Sequence, residues 1–144
     1  MTYEVISIRK SKKEIKVTHP NILFQLVKRY AKSRQEQLLV ITLDGTHKVI
    51  GVHISTIGLN NKTIVHPREV FYHAIQDNAH SVVIAHNHPS GQLQPSNEDK
   101  EITDILVKAG EIMGFHILDH IIFSKNGYYS FRQNGHKLEN DMRE

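Results

Sequence analysis

SVVIAHNHPSGQLQPSNEDKEITDILVKAGEIMG, residues 81–114, holds a short apolar run, a loop with two prolines and a glycine, and a helical pattern. SVVIA reads as a buried strand, and PSGQLQP turns the chain sharply towards a helix starting near Ser96. Ile102, Ile105, Leu106, Ala109 and Met113 form an apolar stripe at helical spacing, and Gly114 suits the helix stop. A strand that hands on to a helix in this way belongs to an α/β fold.

The flanking sequence agrees. Upstream, EQLLVITLDGTHKVIGVHIS (residues 36–55) contains two strand patterns joined by a turn at Asp44-Gly45. Downstream, HILDHIIFS, a turn at Asn126-Gly127 and YYSF form a second hairpin, with a polar tail from about residue 132. Thr18 followed by Pro20 opens an amphipathic helix to about residue 32, and His66-Pro67-Arg68-Glu69 opens another to about residue 78. Residues 3–8 and 14–17 alternate around KSKK and predict a small leading hairpin. Helices interspersed with strands imply a mixed sheet with helices on its faces.

At 144 residues the expectation is one domain, and 39% apolar with 23% charged residues is the balance of a globular protein. The apolar runs are too short to cross a bilayer, and the start MTYEVISIRK lacks a signal-peptide core, so a cytoplasmic protein with no membrane partner is expected. The chain has no cysteine, which excludes disulfides, thiolate nucleophiles and cysteine zinc sites. Any metal must be held by His and carboxylate. Charge is uneven: residues 1–34 carry nine Lys/Arg against two Glu, a balance of +7, while the remainder carries nine against thirteen acids, −4. The basic end suits either a nucleic-acid partner or a solvated surface, and no aromatic-interleaved basic motif accompanies it.

Strand periodicity puts His86 and His88 on one side of the chain, with Asn87 pointing away. Asp99 falls in the first turn of the helix, where the helix dipole favours its charged form. Two imidazoles and one carboxylate with an open position are the donor set of a catalytic zinc site. The same residues support a second reading: Ser96 and Asp99 form a helix cap, and the paired histidines are polar surface. Spacing alone leaves both open. Other metal patterns are excluded. There is no His-Glu-x-x-His, no deaminase pairing of His-x-Glu with Pro-Cys-x-x-Cys, and no Asp-His pair following His86-x-His88.

His-x-His-Pro, ten residues between His88 and Asp99, and Ser96 three before that Asp resemble the JAMM (MPN+) metalloprotease motif. TIVHPREVF, AHNHPSG, PSNED and LDHIIF, in that order, resemble the carboxy-terminal domain of the RadC family over about residues 16–133. Asn87 between the histidines is the RadC-like form. The resemblance implies a cytidine-deaminase-like three-layer α/β/α sandwich and one zinc ion on His86, His88 and Asp99. It implies hydrolysis of peptide or isopeptide bonds by a zinc-activated water, with Glu36 as general base and Ser96 as oxyanion donor, on a peptide or protein substrate.

His120 or Asp119 could orient a ligand from a second layer, although both, with His66, read first as structural. His19, His47, His53, His73, His80, His116 and His136 show no ligand spacing. Longer RadC-like proteins carry a helix-hairpin-helix region, for which this chain has only a short basic segment, so it resembles the short single-domain members. Two rival functions follow: a DNA-associated protein with an auxiliary metal, and a catalytically silent scaffold.

Overall fold

The computed structural model describes residues 6–7, 14–57 and 65–138. Its strands are β1 (Ile6–Ser7), β2 (Gln37–Leu43), β3 (Val49–Ile57), β4 (Ser81–Asn87), β5 (His116–Ser124) and β6 (Gly127–Ser130). Its helices are α1 (Pro20–Val27), α2 (Pro67–Gln76) and α3 (Asn97–Met113). The strands form one sheet in the order β1-β3-β2-β4-β5-β6. The β4–β5 pair is parallel and every other pair antiparallel, so the sheet is mixed as predicted.

Both faces of the sheet are covered, which explains why β4 is buried along its whole length. Leu23 and Val27 of α1 pack on one face against Leu39, Ile41, Val83, Ala85, Ile121 and Phe123. Val70, Phe71 and Ala74 of α2, with Ile102 and Leu106 of α3, pack on the other against Leu38, Val40, Val82, Ile84 and Ile117. Alternate residues of β2 thus enter opposite cores, as a strand's two-residue period requires. The result is the three-layer α/β/α arrangement.

The β2–β3 hairpin turns through Asp44–Lys48, where the Asp44 carboxylate accepts from Thr46 N (2.8 Å), Thr46 Oγ1 (2.7 Å) and Lys48 N (3.0 Å). The leading hairpin is different from the expectation. Ile6–Ser7 pairs with His53–Ile54, and Lys16 bridges Lys48, so both segments lie along the same edge of β3 rather than against each other. That edge offers unpaired backbone groups to both; residues 8–13, which include the expected KSKK turn at 10–13, lie outside the described residues. His19, not Thr18, caps α1 by accepting from Asn21 N at 3.1 Å, and the helix tightens into a 3-10 turn at Lys28–Lys32.

The stripe on α3 is rotated from the predicted one. Asp99, Ile102, Thr103, Leu106 and Gly110 are buried, whereas Ile105 and Met113 are 49% and 44% exposed. Two polar residues belong to the inward face, so apolar residues alone place its centre wrongly. Gly114 stops the helix in the left-handed region, φ 86°. The expected polar tail is not uniformly solvated: Leu138 is buried with Ile122 and Phe131.

Two of the unassigned histidines are core residues. His73 of α2 stacks on His53 of β3, with ring centroids 4.5 Å apart, and neither of its nitrogens has a hydrogen-bond partner. His53 Nε2 lies 2.7 Å from Asp77 Oδ2, which also accepts from Thr42 Oγ1. Burial, and secondarily His53, push the His73 pKa down from 6.5 to about 4. The folded chain therefore binds fewer protons than the unfolded one between these values, and stability falls as pH drops from about 6.5 to 4. The displacement corresponds to about 3 kcal/mol. His120, whose pKa burial pushes to about 3, adds to the same loss. Urea melts of wild type and His73→Leu at pH 7 and 4.5 should show a smaller pH penalty in the variant; equal penalties would refute the assignment.

Candidate metal centre

The site sits at the end of the sheet where β4 stops. Antiparallel pairing of Leu38 with His86 brings the segment before β2 alongside the residues after β4. Asn87 fixes this junction: its Oδ1 accepts from Gln37 N at 2.5 Å and its Nδ2 donates to Gln35 O at 3.0 Å. Both backbone neighbours of Glu36 are thereby held by one side chain. Asn87 does point away from the histidines, but its function was not legible from alternation because its partners lie fifty residues away. Asn87→Ala should cost about 1–3 kcal/mol, since it leaves two groups of the Glu36 backbone junction without their partner. Urea denaturation and amide exchange at Gln37 would measure it; unchanged exchange would mean that the clamp does not hold Glu36.

The loop after β4 is tied down in turn. His88 N donates to Phe123 O at 2.9 Å, and Gly91 O accepts from Ser124 Oγ and Asn126 Nδ2, both at 3.3 Å. Gly91 has φ +89°, a backbone shape that side-chain-bearing residues rarely adopt, so the turn favours glycine.

Within this frame His86 and His88 are buried with their rings edge to face, centroids 4.9 Å apart. His86 lies between two carboxylates: Nδ1 is 3.2 Å from Asp99 Oδ1 and Nε2 is 3.4 Å from Glu36 Oε2. His88 Nδ1 is 2.8 Å from Gln92 O, which can only accept, so Nδ1 carries a proton. Its Nε2 is buried 3.2 Å from Asp99 Oδ2 without hydrogen-bond geometry. An imidazole lone pair facing a carboxylate is repulsive unless the ring gains a second proton or a cation lies between them. The donor set therefore fits a divalent metal.

Asp99 is fully buried and caps its own helix. Its Oδ2 accepts from Ser96 N (2.9 Å) while Asp99 N donates to Ser96 Oγ (3.1 Å), which is the predicted capping box. Burial would raise its pKa, but His86, His88 and the Ser96 amide outweigh burial and hold the carboxyl well below the usual range. Burial also opposes charge on His86, yet Asp99 and Glu36 more than offset it and raise its pKa. The capping geometry leaves the Asp99 carboxylate facing both imidazoles, so the two sequence readings are not exclusive.

Two donor groupings overlap. Glu36, His86 and His88 each offer an atom within 4.8 Å of the others, while Asp99 approaches both rings on its own side. Ser96, as cap, retains its hydroxyl proton for donation. Asp119 faces away: it accepts from Ser130 Oγ (2.6 Å), His120 N (2.7 Å) and Arg132 N (3.0 Å), and joins β5 to β6 and the turn beyond. His120 is buried in β5, an interior strand between β4 and β6, its ring 6.5 Å from that of His86. Thr103 Oγ1 donates to Asp99 O (2.8 Å) and contacts His120 Nδ1 (2.5 Å), so His120 supports the α3 backbone behind Asp99. His66 stands at the start of α2 without a side-chain cap.

The RadC-like JAB domain model matches residues 17–136. This chain belongs to that family. A UPF0758 protein of Symbiobacterium thermophilum is 44% identical over 124 residues, 85% of this chain and 53% of its own length. A UPF0758 protein of Thermotoga maritima is 48% identical over 101 residues, 70% of this chain and 46% of its own. A third, from Methanospirillum hungatei, is 42% identical over 127 residues, 87% of this chain and 56% of its own. The chain thus spans about half the length of these relatives. The RadC-like domain here places His86, His88, Asp99 and Glu36 together, and no helix among its described residues is long and apolar enough to cross a membrane.

Proposed function

We propose that this RadC-like domain is a metal-dependent hydrolase of amide bonds, with His86, His88 and Asp99 holding a zinc ion and Glu36 serving as general base. The observation that carries the reading is the His88 ring, whose Nδ1–H is committed to Gln92 O while buried Nε2 faces the Asp99 carboxylate. Zinc bound there supplies Lewis-acid chemistry towards a carbonyl and towards water. Asp99 suits the role of ligand because it is buried and held ionised; Glu36 suits that of base because its side chain is 23% exposed and reaches the open side of His86. Glu36 accepts a proton from the attacking water and returns it to the leaving amine, and the Ser96 hydroxyl donates to the carbonyl oxygen as charge develops there. The substrate is a peptide or an isopeptide-linked protein.

Zinc-loaded protein incubated with a mixed peptide library in ¹⁸O-water tests this by mass spectrometry. New carboxyl termini carrying one ¹⁸O, lost with chelator and restored by zinc, are expected. Stoichiometric zinc without cleavage of any amide would favour a silent scaffold. Steeply salt-dependent DNA binding with no cleavage would favour the DNA-associated reading.

A further inference from the structure

A cleft of about 430 Å³ opens beside the metal centre, and its lining includes His88 and Pro89 together with Lys32, Arg34 and Lys125. Lys32 and Arg34 come from the segment that leads into β2, and Lys125 from the turn between β5 and β6. Both segments are fixed relative to the site, the first through the Asn87 clamp and the second through the bonds of Ser124 and Asn126 to Gly91 O. All three cations are exposed, and none forms an ion pair among the described residues. No acidic side chain is among the lining residues. Like charges gathered in a cleft repel one another and focus a positive potential, and folding alone gives no return for holding them there.

Resting on the reading of the site as an amide hydrolase, we propose that this cleft is the subsite for an acidic stretch of the substrate. Asp or Glu carboxylates next to the scissile amide sit among Lys32, Arg34 and Lys125 while the amide lies against His86 and His88. A peptide fits better than a nucleic acid, because the lining includes no Phe, Tyr or Trp on which bases could stack, its one ring, His88, is buried and held by Gln92 O, and the cleft is short. The cations recognise charge rather than shape, so the preference is for acidic character over several positions.

The full chain carrying Glu36→Gln, loaded with zinc, allows binding to be read without turnover. Fluorescein-labelled decapeptides with four central Glu or four central Gln, and a labelled single-stranded oligonucleotide, are compared by anisotropy in low and high salt. The Glu peptide should bind at least about tenfold more tightly at low salt, with the advantage lost at high salt. It should also vanish in Lys32→Gln/Arg34→Gln/Lys125→Gln, and each single variant should lose part of it, with unchanged melting temperatures. Equal affinity for the two peptides, or an advantage that survives the triple variant, would overturn the proposal, as would tighter binding of the oligonucleotide through the same cations. Failure of the wild type to cleave any amide would remove the hydrolase reading while the Glu-over-Gln preference stood. Equal binding with cleavage intact would remove the role of the cleft alone.

Discussion

Asp99→Asn is expected to abolish metal binding while leaving α3 folded. The substitution keeps a side-chain oxygen in place to accept from Ser96 N, and the Asp99 backbone N–H still donates to Ser96 Oγ, so the cap survives in outline. What disappears is the buried negative charge facing both His86 and His88. Loss of a direct anionic ligand should cost zinc at least about a hundredfold in affinity, beyond the 10–100-fold typical of changes one layer out. Elemental analysis of gel-filtered protein should therefore fall from about one zinc per chain to none, with helical circular dichroism preserved. Retained zinc would remove Asp99 from the ligand set and favour the overlapping group of Glu36, His86 and His88.

The Asp99 cap also explains what the sequence made legible. Ser-x-x-Asp before an apolar run specifies a capping box whether or not a metal is present, so local pattern fixed the start of α3 but could not choose between its two uses. The β2–β3 hairpin and buried β4 were readable because alternation and turn chemistry are local. The leading strand was misassigned because its partner, β3, is set by the sheet edge and not by adjacent sequence. The stripe on α3 was misplaced because Asp99 and Thr103 face inward to serve the site and His120. Asn87 and the His53–His73 pair were invisible for the same reason: their partners come from other elements. Glu36 stood out only through family resemblance, since before folding nothing distinguishes it from other acids. The β2–β4 register gives it a neighbour, His86.

Glu36→Gln should leave zinc bound and lower turnover by about 10²–10⁴-fold, the usual contribution of a positioned general base. Gln preserves size and hydrogen bonding at the open side of His86 but cannot take a proton near neutral pH. Its backbone remains clamped by Asn87 through residues 35 and 37, so a loss of activity could not be assigned to a displaced loop. Zinc content separates this role from that of a ligand. Full loading with lost turnover makes Glu36 the base, whereas lost zinc makes it part of the donor set, and unchanged turnover removes it from the chemistry. Read together with Asp99→Asn, the experiment sorts the two carboxylates that flank His86, one fully buried and pinned by a helix cap, the other partly open to solvent. That asymmetry is the physical basis for assigning them different tasks: a ligand profits from a charge fixed in advance, while a base must exchange its proton with substrate and water.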